Sequence, residues 1–217
     1  MIKYIRQNKG GKEKMKKLLT LIMSAVMLIS VFAITASAQA KTHTVVKGDS
    51  MWKIAVKYQV GLSELASANP HIKNPALIYP GDVITIPTID ASVSAYEAEV
   101  VRLVNLERAK HGLPKLAHNW ELSRVARYKS QDMKDKKYFS HTSPTYGSPF
   151  QMMKNFGISY KAAGENIAKG YSTPAAVVNG WMNSPGHRAN ILNSSFTEIG
   201  VGYVANGNYW TQMFIAK

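Results

Sequence analysis

Residues 198–216 read EIGVGYVANGNYWTQMFIA, and how this stretch folds decides the fold class. Glu198 to Val204 and Asn208 to Ala216 are runs rich in β-branched and aromatic residues, and Ala205-Asn206-Gly207 between them is a turn signal, so the chain is expected to end in a β-hairpin. Trp210 and Phe214, at even spacing on the second strand, are expected in the core. The preceding sequence is helical in pattern. Tyr96 to His111 sets Val100, Val101, Leu103, Val104 and Leu106 among charged residues and stops at Gly112. Trp120 to Met133 gathers Leu122, Val125, Ala126 and Met133 on one side, and Thr173 to Met182 opens on a Ser-Thr-Pro cap signal. Helices first and a hairpin last predict an α+β domain from residue 96 to 217, packed in three layers.

A different pattern fills residues 42–87, THTVVKGDSMWKIAVKYQVGLSELASANPHIKNPALIYPGDVITIP. Turn signals fall at Lys47-Gly48-Asp49, Asn69-Pro70, Asn74-Pro75 and Tyr79-Pro80-Gly81. Between them the sequence predicts a strand over Thr44–Val46, a helix capped by Asp49 or Ser50, a second helix over Leu62–Ala68, and a strand over Val83–Ile86. Trp52, Ile54, Ala55 and Tyr58 form the apolar face of the first helix. A unit this small needs its apolar residues for a core, so Trp52 is expected inside. Residues 88–95, TIDASVSA, read as a linker.

The first 40 residues read as a targeting signal. From Met15, a Lys pair precedes a long apolar run and then A-x-A at Ala36–Ala38 and Ala38–Ala40, which predicts a secretory signal peptide cleaved before Lys41. A retained membrane anchor is the competing reading, because Leu18 to Ile34 is roughly 17 residues, near the lower limit for spanning. Lys9-Gly10-Gly11 fits a translated ribosome-binding site, so translation is expected to start at Met15.

The whole chain of 217 residues carries +14; without residues 1–40, which hold seven of its 27 Lys and Arg and one of its 13 Asp and Glu, the charge is +8. That excess suits an anionic surface such as a cell wall, and export argues against nucleic acid as a partner. The lack of cysteine is ordinary for an exported bacterial domain held by its core alone.

Four stretches hold polar groups in apolar or small settings: YFSHTSP (138–144), AGENIAKG (163–170), WMNSPGHRANIL (181–192) and YWTQMF (209–214). Only the fold can bring them together. Glu165, a lone acid among small residues in a basic chain, is either solvated or held where its proton affinity is tuned. With His141 and His187 it could ligate a metal, orient a ligating imidazole or act as general base; a metal-free His–Glu pair is equally consistent. Ser140, Ser143 and Ser184 make a Ser-His-Glu arrangement conceivable, but no nucleophile-elbow pattern surrounds them. His43, His71, His111 and His118 fall at turns or edges and are expected on the surface.

Residues 42–87 resemble a LysM module, through the pattern from His43 to Ala55, the NPxI segment at Asn69–Ile72 and the PGxxxxIP end at Pro80–Pro87. The resemblance implies a βααβ unit that binds N-acetylglucosamine-containing chains such as peptidoglycan or chitin in a groove between two loops. Those loops are Gly48, Asp49, Ser50 and Met51, and Leu77, Ile78, Tyr79, Pro80 and Gly81. Met51, Ile78 and Tyr79 are expected to offer apolar faces to sugar rings.

Val101 to Ile215 resembles the CAP superfamily, named for cysteine-rich secretory, antigen 5 and pathogenesis-related proteins, in a cysteine-free bacterial form. The segments that carry the resemblance are NLERAKHGLPKL (105–116), FSHTSP, GENI and SPGHR. It implies an α-β-α sandwich with a central cleft in which two His and two Glu face one another and the His can hold a divalent metal such as zinc. The carried-over residues are His141, Glu165 and His187. Ser184 stands where the second Glu is expected, three residues after Trp181, which removes a carboxylate from any two-acid mechanism.

These readings lead to a secreted cell-wall or spore-envelope protein that binds peptidoglycan through LysM and presents a CAP cleft for ligand or metal. Wall or spore-coat proteins are its expected partners, and the signal peptide its only membrane contact. The alternatives are a metal-assisted wall hydrolase or peptidase using Glu165, His141 and His187, and a purely structural envelope protein.

Overall fold

The structure, a computed structural model, describes residues 40–217. The segment read as a signal peptide, with the proposed start at Met15, lies outside the described residues. Among these, no helix is long and apolar enough to cross a membrane.

The first module runs β1 (Thr42–Thr44), α1 (Met51–Tyr58), α2 (Leu62–Ser67), β2 (Val83–Thr85). β1 and β2 pair antiparallel with His43 opposite Ile84. Ser50 caps α1 by accepting the Lys53 N–H at 3.2 Å. Buried Asn69 donates to the carbonyls of Leu65 and Thr85 and accepts the Thr85 N–H, tying the end of α2 to β2. The core is Val45, Met51, Ile54, Ala55, Leu65, Ile84 and Ile86.

Four expectations are corrected in this module and at its junction with the next. Trp52 is 62% exposed while Met51 is 2% exposed, so the buried stripe of α1 starts one residue earlier than expected, at Met51, Ile54 and Ala55. Met51 therefore supplies core and offers no face to a sugar. His43 is buried, held by Asp49 at 2.8 Å and by the Tyr58 hydroxyl at 3.1 Å. The linker reading of residues 88–95 also changes. Asp90 caps a helix that begins at Ala91, accepting the N–H of Ser92 at 2.8 Å, so only Thr88–Asp90 connect the modules.

The second module comprises α3 (Ala91–Lys110), β3 (Ala117–His118), α4 (Trp120–Asp135), α5 (Pro149–Asn155), β4 (Ala162–Lys169), α6 (Pro174–Met182), α7 (Pro185–Ile191), β5 (Glu198–Val204) and β6 (Tyr209–Ala216). Its sheet has the order β3-β5-β6-β4 and is antiparallel except for β3 beside β5. The terminal hairpin is its centre. Along β5, Ile199, Val201 and Tyr203 enter the core shared with α3, α6 and α7. Gly200 and Gly202 alternate with them: a Cβ on either would strike the backbone of α4, at Leu122–Ser123 and at Ala126–Arg127. The EIGVGYV alternation thus provides a large-residue face for one helical layer and a bare face on which α4 lies close. Along β6, Trp210 and Phe214 face the first core, and Met213 and Ile215 face a second one with Leu122, Val125, Ala126, Met152 and Met153. The result is an α-β-α sandwich of α+β class. β3, β4, α5 and α7 have no counterpart in the pattern reading.

Candidate functional site in the cleft beside β4

β4 is a terminal strand of the sheet, antiparallel to β6 with Glu165 opposite Met213. A cleft of about 510 Å³ opens beside it, lined by His141, Ile167, Lys169, Tyr171, Trp181, Ser184 and His187. His141 comes from the loop after α4, on one face of the sheet, and His187 comes from α7, on the other.

Helix α4 pins the loop that carries His141. Fully buried Lys129 donates from Nζ to the carbonyls of Ser140 at 2.8 Å and His141 at 2.6 Å. One turn on, Asp132 accepts the hydroxyls of Tyr138, Ser143 and Thr145 at 2.5–2.6 Å. Ser143 is thereby committed to the loop, while Ser140 and Ser184 line the cleft.

Glu165 lies behind His141. Its side chain is 1% exposed and its Oε1 is 2.7 Å from His141 Nδ1, whereas the His141 side chain is 52% exposed. An ionised Glu165 accepts Nδ1–H and leaves Nε2 as the lone-pair nitrogen of a neutral ring. Glu165 Oε2 is buried without a partner among the described residues. Burial raises the carboxyl above its usual range, against the His141 bond and the nearby Lys129 charge. Burial holds His187 below the usual imidazole range, and any positive charge on His141 adds to the effect.

A polar network seats α7 on the strand. Asn166 Nδ2 donates to the His187 carbonyl and to Gln212 Oε1, both at 3.0 Å. Asn190 donates to Asn166 Oδ1 at 2.8 Å and to the Glu165 carbonyl at 3.2 Å, and Trp181 Nε1 donates to the Ile167 carbonyl at 3.3 Å. Lys129, Asp132, Asn166, Asn190 and Gln212 are the supporting residues that sequence reasoning did not single out. The last three do sit within the polar stretches noted above.

Two imidazoles are a partial donor set for a divalent cation. Glu165 is engaged with His141, and no group of three His, Cys, Asp or Glu among the described residues is arranged to hold a metal ion.

In the first module the two candidate glycan loops lie side by side, because Val45 exchanges backbone hydrogen bonds with Gly81 and Asp82. Gly48 and Gly81 have φ of 93° and 99°, the left-handed region that favours glycine. Asp49 accepts the Val46 N–H and Ser50 caps α1, so both side chains shape the loop. Leu77, Pro80 and Tyr79, the last 59% exposed, form the accessible surface, and Ile78 is half-buried against the core.

The chain thus combines a βααβ module with a three-layer α-β-α sandwich that carries a His-lined cleft. The chain belongs to the cysteine-rich secretory protein (CAP) family, whose model matches residues 101–215, and it carries a LysM domain at residues 43–87. It is similar to the uncharacterized protein YkwD of Bacillus subtilis, at 59% identity over 155 residues, covering 71% of this chain and 60% of that protein. The LysM segment is 50% identical over 48 residues to SpoIVD-associated factor A of the same organism, covering 22% of this chain and 12% of that one. An extracellular SCP-domain protein of Bacillus anthracis matches in structure with a TM-score of 0.56 and 36% identity, covering 64% of this chain and 47% of that one.

Proposed function

We propose that this is a secreted cell-wall or spore-envelope protein that binds peptidoglycan, or a related N-acetylglucosamine glycan, through LysM, and offers the His141–His187 cleft to a ligand. The observation that carries this reading is the pair of adjoining glycine-turned loops, with exposed Leu77 and Tyr79, on a module joined to an open cleft. Backbone groups at such turns suit acetamido groups, and exposed apolar faces suit sugar rings. Similarity of the LysM segment to the spore coat assembly protein ExsA of Bacillus cereus supports a spore or wall setting with coat proteins as partners. A divalent cation such as zinc is a companion proposal, held by His141 and His187 with Glu165 orienting His141.

Co-sedimentation with purified sacculi tests the reading. The protein is expected in the pellet, and Tyr79→Ala, a surface change, is expected to bind several-fold more weakly; equal binding by both would refute the groove. Mass spectrometry of the supernatant separates binding from hydrolysis. Soluble fragments released with zinc by the wild type, and not by Glu165→Gln, would make the protein a wall hydrolase.

A further inference from the structure

A second cavity, of about 330 Å³, lies where the two modules meet, away from the His141–His187 cleft. One wall comes from the LysM module, with Lys41, Tyr58, Gln59 and Val60, and the opposite wall from the CAP module, with Ser94, His118, Trp120 and Arg127. Thr88 and Ile89 of the short connection close one side. The walls are tied together nearby. Glu64 of α2 takes Arg124 of α4 through both carboxylate oxygens, at 2.5 and 2.8 Å, and Ser63 accepts from the same guanidinium at 2.9 Å. A bidentate pair supported by a third contact fixes orientation as well as distance.

The polar groups in this crevice are mostly donors. Glu97, its carboxylate, is already engaged: both oxygens accept from Arg127 Nε at 3.1 Å and Oε1 also accepts the Tyr203 N–H. Glu97 thus holds Arg127 by its inner nitrogen. The two terminal nitrogens of that guanidinium have no hydrogen-bond partner among the described residues and are not buried unsatisfied atoms, so they face the opening. Lys41 adds an ammonium over the Tyr58 ring, and His118 Nε2 is occupied by Ser123. A planar two-nitrogen fork held from behind, beside a second cation and between apolar walls, matches a carboxylate on a small, partly apolar body.

We infer that the crevice between the LysM and CAP modules is a binding site for a small carboxylate-bearing ligand of short-peptide size, gripped by the free end of Arg127. The site is independent of the glycan groove and of the His141–His187 cleft. A ligand there touches both modules at once, so it also fastens one to the other.

The test is a ¹H–¹⁵N titration of the protein with N-acetyl-dialanine, beside its C-terminal amide and inorganic phosphate. The free acid is expected to give saturable shifts at Gln59, Thr88, Ser94 and the Arg127 Nε–H, and the amide none at the same concentration. Arg127→Lys keeps a charge beside Glu97 but loses the fork, and is expected to weaken binding about tenfold. Ser94→Trp, at an exposed helix position on the wall, is expected to abolish binding while leaving the fold intact, and serves if the Arg127 variant unfolds. No shift of these residues up to about 10 mM, a Kd weaker than any useful affinity, equal shifts from the amide, or tighter binding of phosphate would each overturn the assignment.

Discussion

Glu165 shows how one residue's role follows from what it touches. A sequence can mark it as an unusual acid, but only the 2.7 Å contact with His141 Nδ1 makes it the group that selects that ring's tautomer. At pH 8 the ¹⁵N spectrum of His141 is expected to show the Nδ1–H form, and Glu165→Ala is expected to mix the two neutral forms; an unchanged spectrum would deny Glu165 this role. Met51 and Trp52 make the same point in the LysM module. They are adjacent on α1, and the helix turns one inward and the other outward. Trp52→Ala is expected to change stability by less than about 0.5 kcal/mol. Met51→Ala is expected to cost about 2–5 kcal/mol in denaturant unfolding. Equal effects would contradict the observed orientation.

Among the elements, α4 does the most to build the cleft. Its apolar stripe lies on the glycine face of β5, and two of its buried polar side chains, Lys129 and Asp132, reach out to hold the 138–147 loop. Asp132→Ala leaves three hydroxyls without their acceptor and is expected to cost about 2–4 kcal/mol. Hydrogen exchange at the Ser143 and Gly147 amides, which pair with each other across the loop, should accelerate more than exchange in β6. Uniform acceleration would mean that Asp132 supports the whole domain rather than the loop. The helices α3, α4 and α6 and the hairpin were legible because each carries a repeat that its own backbone geometry imposes. β4 was not, because AAGENIAK lacks the β-branched alternation of a strand and is held by β6 on one edge and by Asn190 and Trp181 at its Glu165 and Ile167 carbonyls. The short helices α5 and α7, at seven residues each, show too few turns to display a period.

Across the whole molecule, buried titratable groups make stability depend on pH. Burial, opposed by Arg127 and the Tyr203 N–H, pushes Glu97 from 4.5 up to about 7. Its contribution is therefore complete below pH 4.5 and lost as pH rises through 7. Glu64 runs the other way: although burial acts against it, hydrogen bonds from Arg124 and Ser63 bring it to about 2, so its contribution is present above 4.5 and lost as pH falls toward 2. His187, lowered by burial, also costs stability in acid. The difference between wild type and Glu97→Gln isolates the first effect. Between pH 5 and 8, urea midpoints are expected to fall more for wild type than for the variant; parallel curves would show that Glu97 keeps an ordinary proton affinity. By itself the sequence determined the two modules, their α+β character, the helical stripes, the closing hairpin and the three residues worth watching, because these rest on local spacing and on motifs within short windows. Tertiary structure alone decided that Glu165 stands behind His141, that His187 reaches the same cleft from the opposite face, that Trp52 is outside, and that Arg127 is presented to the crevice between the modules. Those outcomes depend on which surfaces pack together across tens of residues, and no period of 2.0 or 3.6 carries that information.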